Sequence, residues 1–244
     1  MITANKAVQG VLAEMAEVAG YLWQRGWAER NAGNLSVNIT GMLSGRELKD
    51  MRPEGIIKLS ENYEYLNSEV LLVTATGSRM RDLSKDPASN SCLVAIQKGR
   101  SPFYCSLSGE KPGLKPTSEI GTHLAIQQIL RKKGEGQKAV LHSHVTEFIA
   151  LTHNKKFRSA SAINRMLRSM HPEVAMFCPK GAGYVPFTEP GSMLMAKKTT
   201  KALAAHDVVI WERHGCVATG STPNEAFDLL DILAKAVKIF YMIG

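Results

Sequence analysis

Apolar residues recur at Val8, Val11, Leu12, Met15, Val18, Ala19 and Leu22. That spacing of three and four predicts an amphipathic helix over 7–23, with Gly26 at its stop. The period then shortens to two. Leu35, Val37 and Ile39 alternate with Ser36 and Asn38, which predicts a half-buried strand over 34–40. The stretch 41–53 is glycine-rich, polar and charged without a period, and reads as a surface excursion. Strands are predicted again over 70–75, which runs into the turn Thr76-Gly77-Ser78, and over 92–97 and 103–107. A Gly/Pro/Lys-rich loop over 109–116 precedes a helix capped by Thr117 or Ser118 and closed at Gly134. Beyond it the pattern predicts strands over 139–144, 173–178, 183–187, 208–212 and 216–219. Helical spacing covers 146–151, 162–170 and 190–205, and Pro223 opens a long final helix.

Strands and helices interleave, yet several strand pairs are joined by links too short for helical crossovers. The expected fold is therefore α/β, an αβα sandwich with a mixed, mainly antiparallel central sheet covered by helices. No internal repeat and no linker rich in Pro, Gly or Ser divides the chain, so residues 1–244 are expected to form a single domain. A content of 44% hydrophobic and 21% charged residues excludes disordered and fibrous classes. The start lacks a secretory signal pattern, and no apolar run is long enough to span a bilayer, which points to the cytoplasm and no membrane partner. Four dispersed cysteines without CxxC spacing are expected to be reduced and buried. The net charge of +8 invites a nucleic-acid reading. Its basic residues, however, come in short groups without aromatic interleaving, so no nucleic-acid partner is expected.

The chemistry begins at His142-Ser143-His144. Alternate strand residues share a face, so two imidazoles can converge on one ion; alone, such a pair is more often two histidines hydrogen-bonded at a strand end. His214, in a turn after an apolar strand, is a third candidate, and three such histidines would match a catalytic zinc centre with a position left open. The other histidines, His123 among them, lack such a pairing and read as structural or surface residues. Pro116-Thr117-Ser118-Glu119 is a helix start with hydroxyls that can hold phosphate. Asn31-Ala32-Gly33-Asn34 and Thr76-Gly77-Ser78 offer comparable donors. Each segment alone is ordinary turn chemistry. Together they would make a neutral phosphate cradle distinct from a P-loop.

These segments resemble, in the same order, the class II aldolase family, whose zinc-dependent sugar-phosphate aldolases and epimerases share a fold with the adducin head. The resemblance rests on the run from Gly26 through Ser36, Val73-Thr74-Ala75-Thr76-Gly77, Pro116-Thr117-Ser118-Glu119, the run from His142 through Thr152, and His214-Gly215 with Gly220, Thr222, Glu225, Ala226 and Phe227. Within the family it is strongest to the rhamnulose branch. Ala32-Gly33 stands where that pattern has paired glycines, and Thr76 where it has serine. The resemblance implies one Zn²⁺ per subunit held by His142, His144 and His214, with Glu119 as acid/base. It further implies a phosphate held by Asn31, Gly33, Asn34, Thr76, Gly77, Thr117 and Ser118, and Glu173 reaching a neighbouring subunit's site. The implied activity is retro-aldol cleavage of L-rhamnulose 1-phosphate to dihydroxyacetone phosphate and L-lactaldehyde, in a homotetramer with active sites near subunit interfaces. Competing readings are a fuculose-phosphate aldolase, a pentulose-phosphate 4-epimerase on the same scaffold, and a non-catalytic adducin-like binding module.

Overall fold

The computed structural model describes residues 2–58, 61–107 and 113–244. Its strands are β1 Asn34–Asn38, β2 Gly55–Ile56, β3 Val70–Thr74, β4 Ser91–Ala95, β5 Phe103–Ser106, β6 Ala139–Ser143, β7 Ala182–Val185, β8 Val208–Trp211 and β9 Gly215–Gly220. They form one nine-stranded sheet in the order β2-β5-β4-β3-β1-β6-β9-β8-β7. Every pairing is antiparallel except β7 with β8. That exception has a local cause, since a helix lies between those two strands and carries the chain back to the starting end of the sheet. The sheet is therefore mixed and mainly antiparallel, as the short links require.

The helices are α1 Lys6–Gln24, α2 Gly45–Asp50, α3 Met80–Leu83, α4 Ile120–Lys133, α5 Thr146–His153, α6 Ala160–Met170, α7 Glu173–Phe177, α8 Met193–Leu203 and α9 Pro223–Met242. Alternation along the strands sorts them into two layers. Leu35, Leu72, Leu141 and Ile210 share one core with Met15 of α1, Ile163 of α6 and Leu230 of α9. Val140, Val209, Trp211 and Val217 face the other way, onto Ile126 of α4 and Met195 of α8. Further along that second face, Leu71, Val73 and Val94 meet Leu124 of α4. Between β1, β6 and α4 the apolar faces give way to a buried polar group formed by Asn34 and Ser36 of β1, His142 of β6, and His123 and Gln127 of α4.

Several boundaries and two element types differ from expectation. Residues 173–178 are helical at α7 rather than a strand, because Pro172 sits in the right-handed helical region and starts a turn there. The surface excursion contains α2, stabilised by a capping box in which Ser44 and Glu47 satisfy each other's backbone N–H groups. α4 starts later than expected, with Glu119 rather than Thr117 or Ser118 at its N-cap. This leaves the Ser118 hydroxyl outside the helix. Residues 109–112 of the expected loop lie outside the described residues. Asn5, Ser159, Ser192 and Thr222 cap α1, α6, α8 and α9 as side-chain acceptors. All four cysteines are free and buried. Among the described residues no helix is long and apolar enough to cross a membrane.

Gly215 opens β9 with φ +148°, and a Cβ added there would lie 2.3 Å from the Ser143 carbonyl oxygen. Gly215→Ala is therefore expected to cost at least about 2 kcal/mol through backbone displacement and strain. Urea denaturation checks this, and a wild-type midpoint would show that the turn tolerates a side chain.

Candidate metal centre and active site

The end of β6 is fixed by one carbonyl. Trp27 O accepts from the Ser143 hydroxyl at 2.8 Å and from the His144 backbone N–H at 3.0 Å. The Trp27 indole in turn donates to Glu147 in the first turn of α5. His142 and His144 are thereby presented at the strand's edge. The turn from β8 to β9 supplies His214, which follows Arg213 at φ +58°. A non-glycine residue in that region is strained. Here the strained conformation is held by the Arg213 N–H donating to Thr152 Oγ1 at 2.9 Å.

The three imidazoles form a nearly equilateral group. Their ring centroids are 5.3 Å apart for His142–His144 and 5.0 Å for both other pairs. One nitrogen from each lies within 4.8 Å of the others. The outer partners set the tautomers. His142 Nδ1 lies 2.8 Å from the Cys216 carbonyl and His144 Nδ1 lies 2.7 Å from Glu29 Oε1. Both partners are acceptors only, so each Nδ1 carries a proton, and in the neutral ring this leaves the lone pair on Nε2. The His214 Nδ1 is buried without a hydrogen-bond partner. Burial pushes the His142 imidazole below its ordinary pKa. Burial, then the neighbouring His142 and His144, pushes His214 down to about 4. Three imidazole nitrogens within reach of one another, plus one orphaned buried nitrogen, fit a first-row divalent metal ion.

This triad forms one wall of a cavity of about 560 Å³. Glu119 stands on the adjacent wall, its Oε2 3.5 Å from His142 Nε2 and 2.9 Å from the Asn34 side-chain amide. Burial raises the Glu119 carboxyl, but the His142 imidazole, the Asn34 amide and the more distant histidines outweigh it and hold the group below its ordinary value. It is a carboxylate at neutral pH, able to accept a proton.

The donor segments expected from sequence converge here. Asn31, Gly33, Asn34, Thr76, Gly77, Thr117 and Ser118 all line the cavity. Backbone bonds tie two of the segments together, Thr76 N to Lys115 O at 2.8 Å and Thr117 N to Thr74 O at 3.0 Å. Gly33 has φ +83°, and a Cβ there would lie 3.3 Å from the His142 carbonyl, so this loop can approach β6 only as glycine. Glu173 does not line the cavity; it lies on α7. The cavity also includes residues that sequence reasoning missed, among them Arg30, Pro190 and Gly191. The Pro-Gly dipeptide was a visible turn signal. Arg30, at φ +48°, sits in the same loop as Asn31 and adds a cation to an otherwise neutral donor set.

The Class II Aldolase and Adducin N-terminal domain family matches residues 13–241. A relative named rhamnulose-1-phosphate aldolase, from Bacteroides thetaiotaomicron, is 39% identical over 93% of this chain and 83% of its own length. A protein of the same name from Listeria welshimeri is 28% identical over 96% of this chain and 83% of its own. Among solved structures, a sugar-phosphate aldolase from Thermotoga maritima superposes with a TM-score of 0.77 at 32% identity, covering 97% of this chain and 96% of that one.

Titration with Zn²⁺ as the probe, followed by calorimetry, is expected to give about one ion per chain. His144→Ala should abolish that binding, because two imidazoles rarely suffice. Equal stoichiometry and affinity in the variant would remove the triad as the metal site.

Proposed function

We propose that this chain, which belongs to the class II aldolase and adducin family, catalyses retro-aldol cleavage of L-rhamnulose 1-phosphate to dihydroxyacetone phosphate and L-lactaldehyde. The observation that carries the reaction type is the Glu119 carboxylate standing 3.5 Å from an imidazole of the convergent histidine triad. The choice of sugar rests on the relatives named for that substrate. We assign one Zn²⁺ per subunit to His142, His144 and His214. When bound, that ion supplies Lewis-acid polarisation of the ketose oxygens and stabilises the negative charge left by carbon–carbon cleavage.

The chain's own groups do the rest. As the carbon–carbon bond breaks, Glu119 takes the proton released by the hydroxyl that becomes the aldehyde and gives a proton to the hydroxymethyl carbon of the dihydroxyacetone phosphate half; condensation reverses both transfers. Its position is favourable because the Asn34 amide, donating at 2.9 Å, prevents the carboxylate from rotating away. The phosphate is placed against the hydroxyls of Thr76, Thr117 and Ser118, the amides of Asn31 and Asn34, and the backbone N–H groups of Gly33 and Gly77. Arg30 adds charge at the rim.

Glu173 is assigned to the site of a neighbouring subunit. It lies outside the cavity of its own chain, on a short helix that buries Val174 but leaves Met176 and Phe177 69% and 58% exposed. Apolar residues left open to water favour burial between copies. The exposed pair supports a contact between copies, and we assign the chain to a homotetramer of single 1–244 domains with active sites near the subunit interfaces, working in the cytoplasm.

A coupled assay for dihydroxyacetone phosphate release, run with L-rhamnulose 1-phosphate and L-fuculose 1-phosphate, tests the reading. Release from the rhamnulose ester at the greater kcat/KM is expected; epimerised product without release, or no turnover of either, would overturn it. Glu119→Gln should keep its metal while turnover falls by roughly 10²–10⁴, since an amide cannot exchange a proton at neutral pH. Ser118→Ala should chiefly weaken substrate affinity, by about ten- to a hundredfold for one lost hydrogen bond to a charged group. Near-normal turnover in the glutamine variant would hand the proton to another group, with Glu173 of the neighbouring subunit first in line.

A further inference from the structure

The buried polar patch between β1 and α4 has a repeat of its own. Glu119, His123 and Gln127 follow one another at intervals of four along α4, and Asn34 and Ser36 at an interval of two along β1. Four helical residues rise about 6 Å and two strand residues about 6.6 Å, so the two rows stay in step. They interdigitate. Gln127 Nε2 donates to the Lys138 carbonyl at 2.9 Å and to Ser36 Oγ at 3.1 Å. Ser36 Oγ lies 2.8 Å from His123 Nδ1, and His123 Nε2 meets Asn34 Oδ1. Asn34 Nδ2 donates to Glu119 Oε2 at 2.9 Å.

The chemistry of the two ends gives the chain a single direction. A carboxylate only accepts, so the Asn34 amide must turn its NH₂ to Glu119 and its oxygen to His123. That oxygen also only accepts, so His123 carries its proton on Nε2 and its Nδ1 must accept from the Ser36 hydroxyl. At the far end the Lys138 carbonyl orients the Gln127 amide, whose N–H leaves the Ser36 oxygen free to donate onward. From Gln127 through Ser36, His123 and Asn34, each hydrogen bond of the row therefore points toward Glu119. His123 is 2% exposed, and burial keeps its ring neutral, with a pKa near 4.

We propose that His123 is a positioning residue for the reaction: by donating from Nε2 to Asn34, it fixes the Asn34 amide in the one orientation that clamps the Glu119 carboxylate beside the histidine triad. The inference rests on the aldolase reading for its kinetic consequence but not for the hydrogen-bond chain itself. His123 touches neither substrate nor metal, and Asn34 is one of several phosphate donors, so its removal should slow proton transfer far more than it weakens phosphate affinity, with metal content unchanged.

Two measurements test this. In ¹⁵N NMR of the imidazoles, His123 is expected as the neutral Nε2–H tautomer between about pH 5 and 8; an Nδ1–H or doubly protonated ring in that range would overturn the chain. The second measurement is exchange of the hydroxymethyl-carbon hydrogen of dihydroxyacetone phosphate with D₂O by the metal-loaded enzyme. His123→Phe, which keeps ring volume but not the donor, should bind dihydroxyacetone phosphate within about threefold of wild type and exchange roughly 10- to 100-fold more slowly, the scale of a small misplacement of a catalytic group. His123→Gln, whose amide can still donate, should recover most of that loss. If the phenylalanine variant does not fold, Ser36→Ala makes the same test, with a slowing of about three- to tenfold expected. Wild-type exchange in a folded His123→Phe or Ser36→Ala enzyme, or a loss confined to affinity, would refute the role. Absence of exchange in the wild-type enzyme would instead refute the aldolase reading, and the tautomer measurement would still decide the hydrogen-bond chain.

Discussion

The antiparallel pairing of β1 with β6, in the register that sets Asn34 opposite His142, is the constraint on which the site depends. These are neighbouring central strands, and alternation sends Asn34, Ser36 and His142 to the face beneath α4 while Leu35, Val37 and Leu141 enter the opposite core. A slip of one residue would reverse both sets, burying polar groups in the α1–α9 core and exposing leucines to the polar face. The register is therefore protected by the whole hydrophobic layer. Gly33 extends the same fit beyond the strand, since only a missing side chain allows its close approach to the His142 carbonyl.

From that pairing the remaining parts follow at short range. Trp27 O fixes the end of β6, and Thr152 holds the strained turn that brings His214 alongside. Glu119 arrives from the other layer, at the N-cap of α4, where a carboxylate is favoured by the exposed N–H groups and the helix dipole. The buried polar groups between β1 and α4 would cost free energy if left unpaired. The row from Gln127 to Glu119 satisfies them in a way that also orders the carboxylate.

Much of this was legible in the chain because the relevant periods are local. The three-and-four spacing of α1, the alternation of β1 and the HxH pair on β6 each declare a face before any tertiary contact is known. The Ser118 and Thr76 segments were legible as hydrogen-bonding turns, and their convergence is what the fold adds. Other features were hidden by competing signals. Residues 173–178 carry apolar residues suited to a strand, yet Pro172 starts a helical turn and moves Glu173 out of its own chain's cavity. The Ser44–Glu47 capping box was written in the polar stretch ahead of β2, but without an apolar period to mark the helix it begins. His123 looked like a solitary histidine because its partners, Asn34 and Ser36, lie far away in sequence on another strand. The interval of four linking it to Glu119 and Gln127 is common on any helix face, and only the matching interval of two on β1 makes it specific.

This register brings three imidazoles together beside a carboxylate, in a group that could hold one metal ion. X-ray absorption at the zinc edge of the zinc-reconstituted protein reads that arrangement. A single ion with three imidazole nitrogens in its coordination shell, completed by oxygen, is expected. Sulfur in the shell, or fewer than three imidazoles, would contradict it.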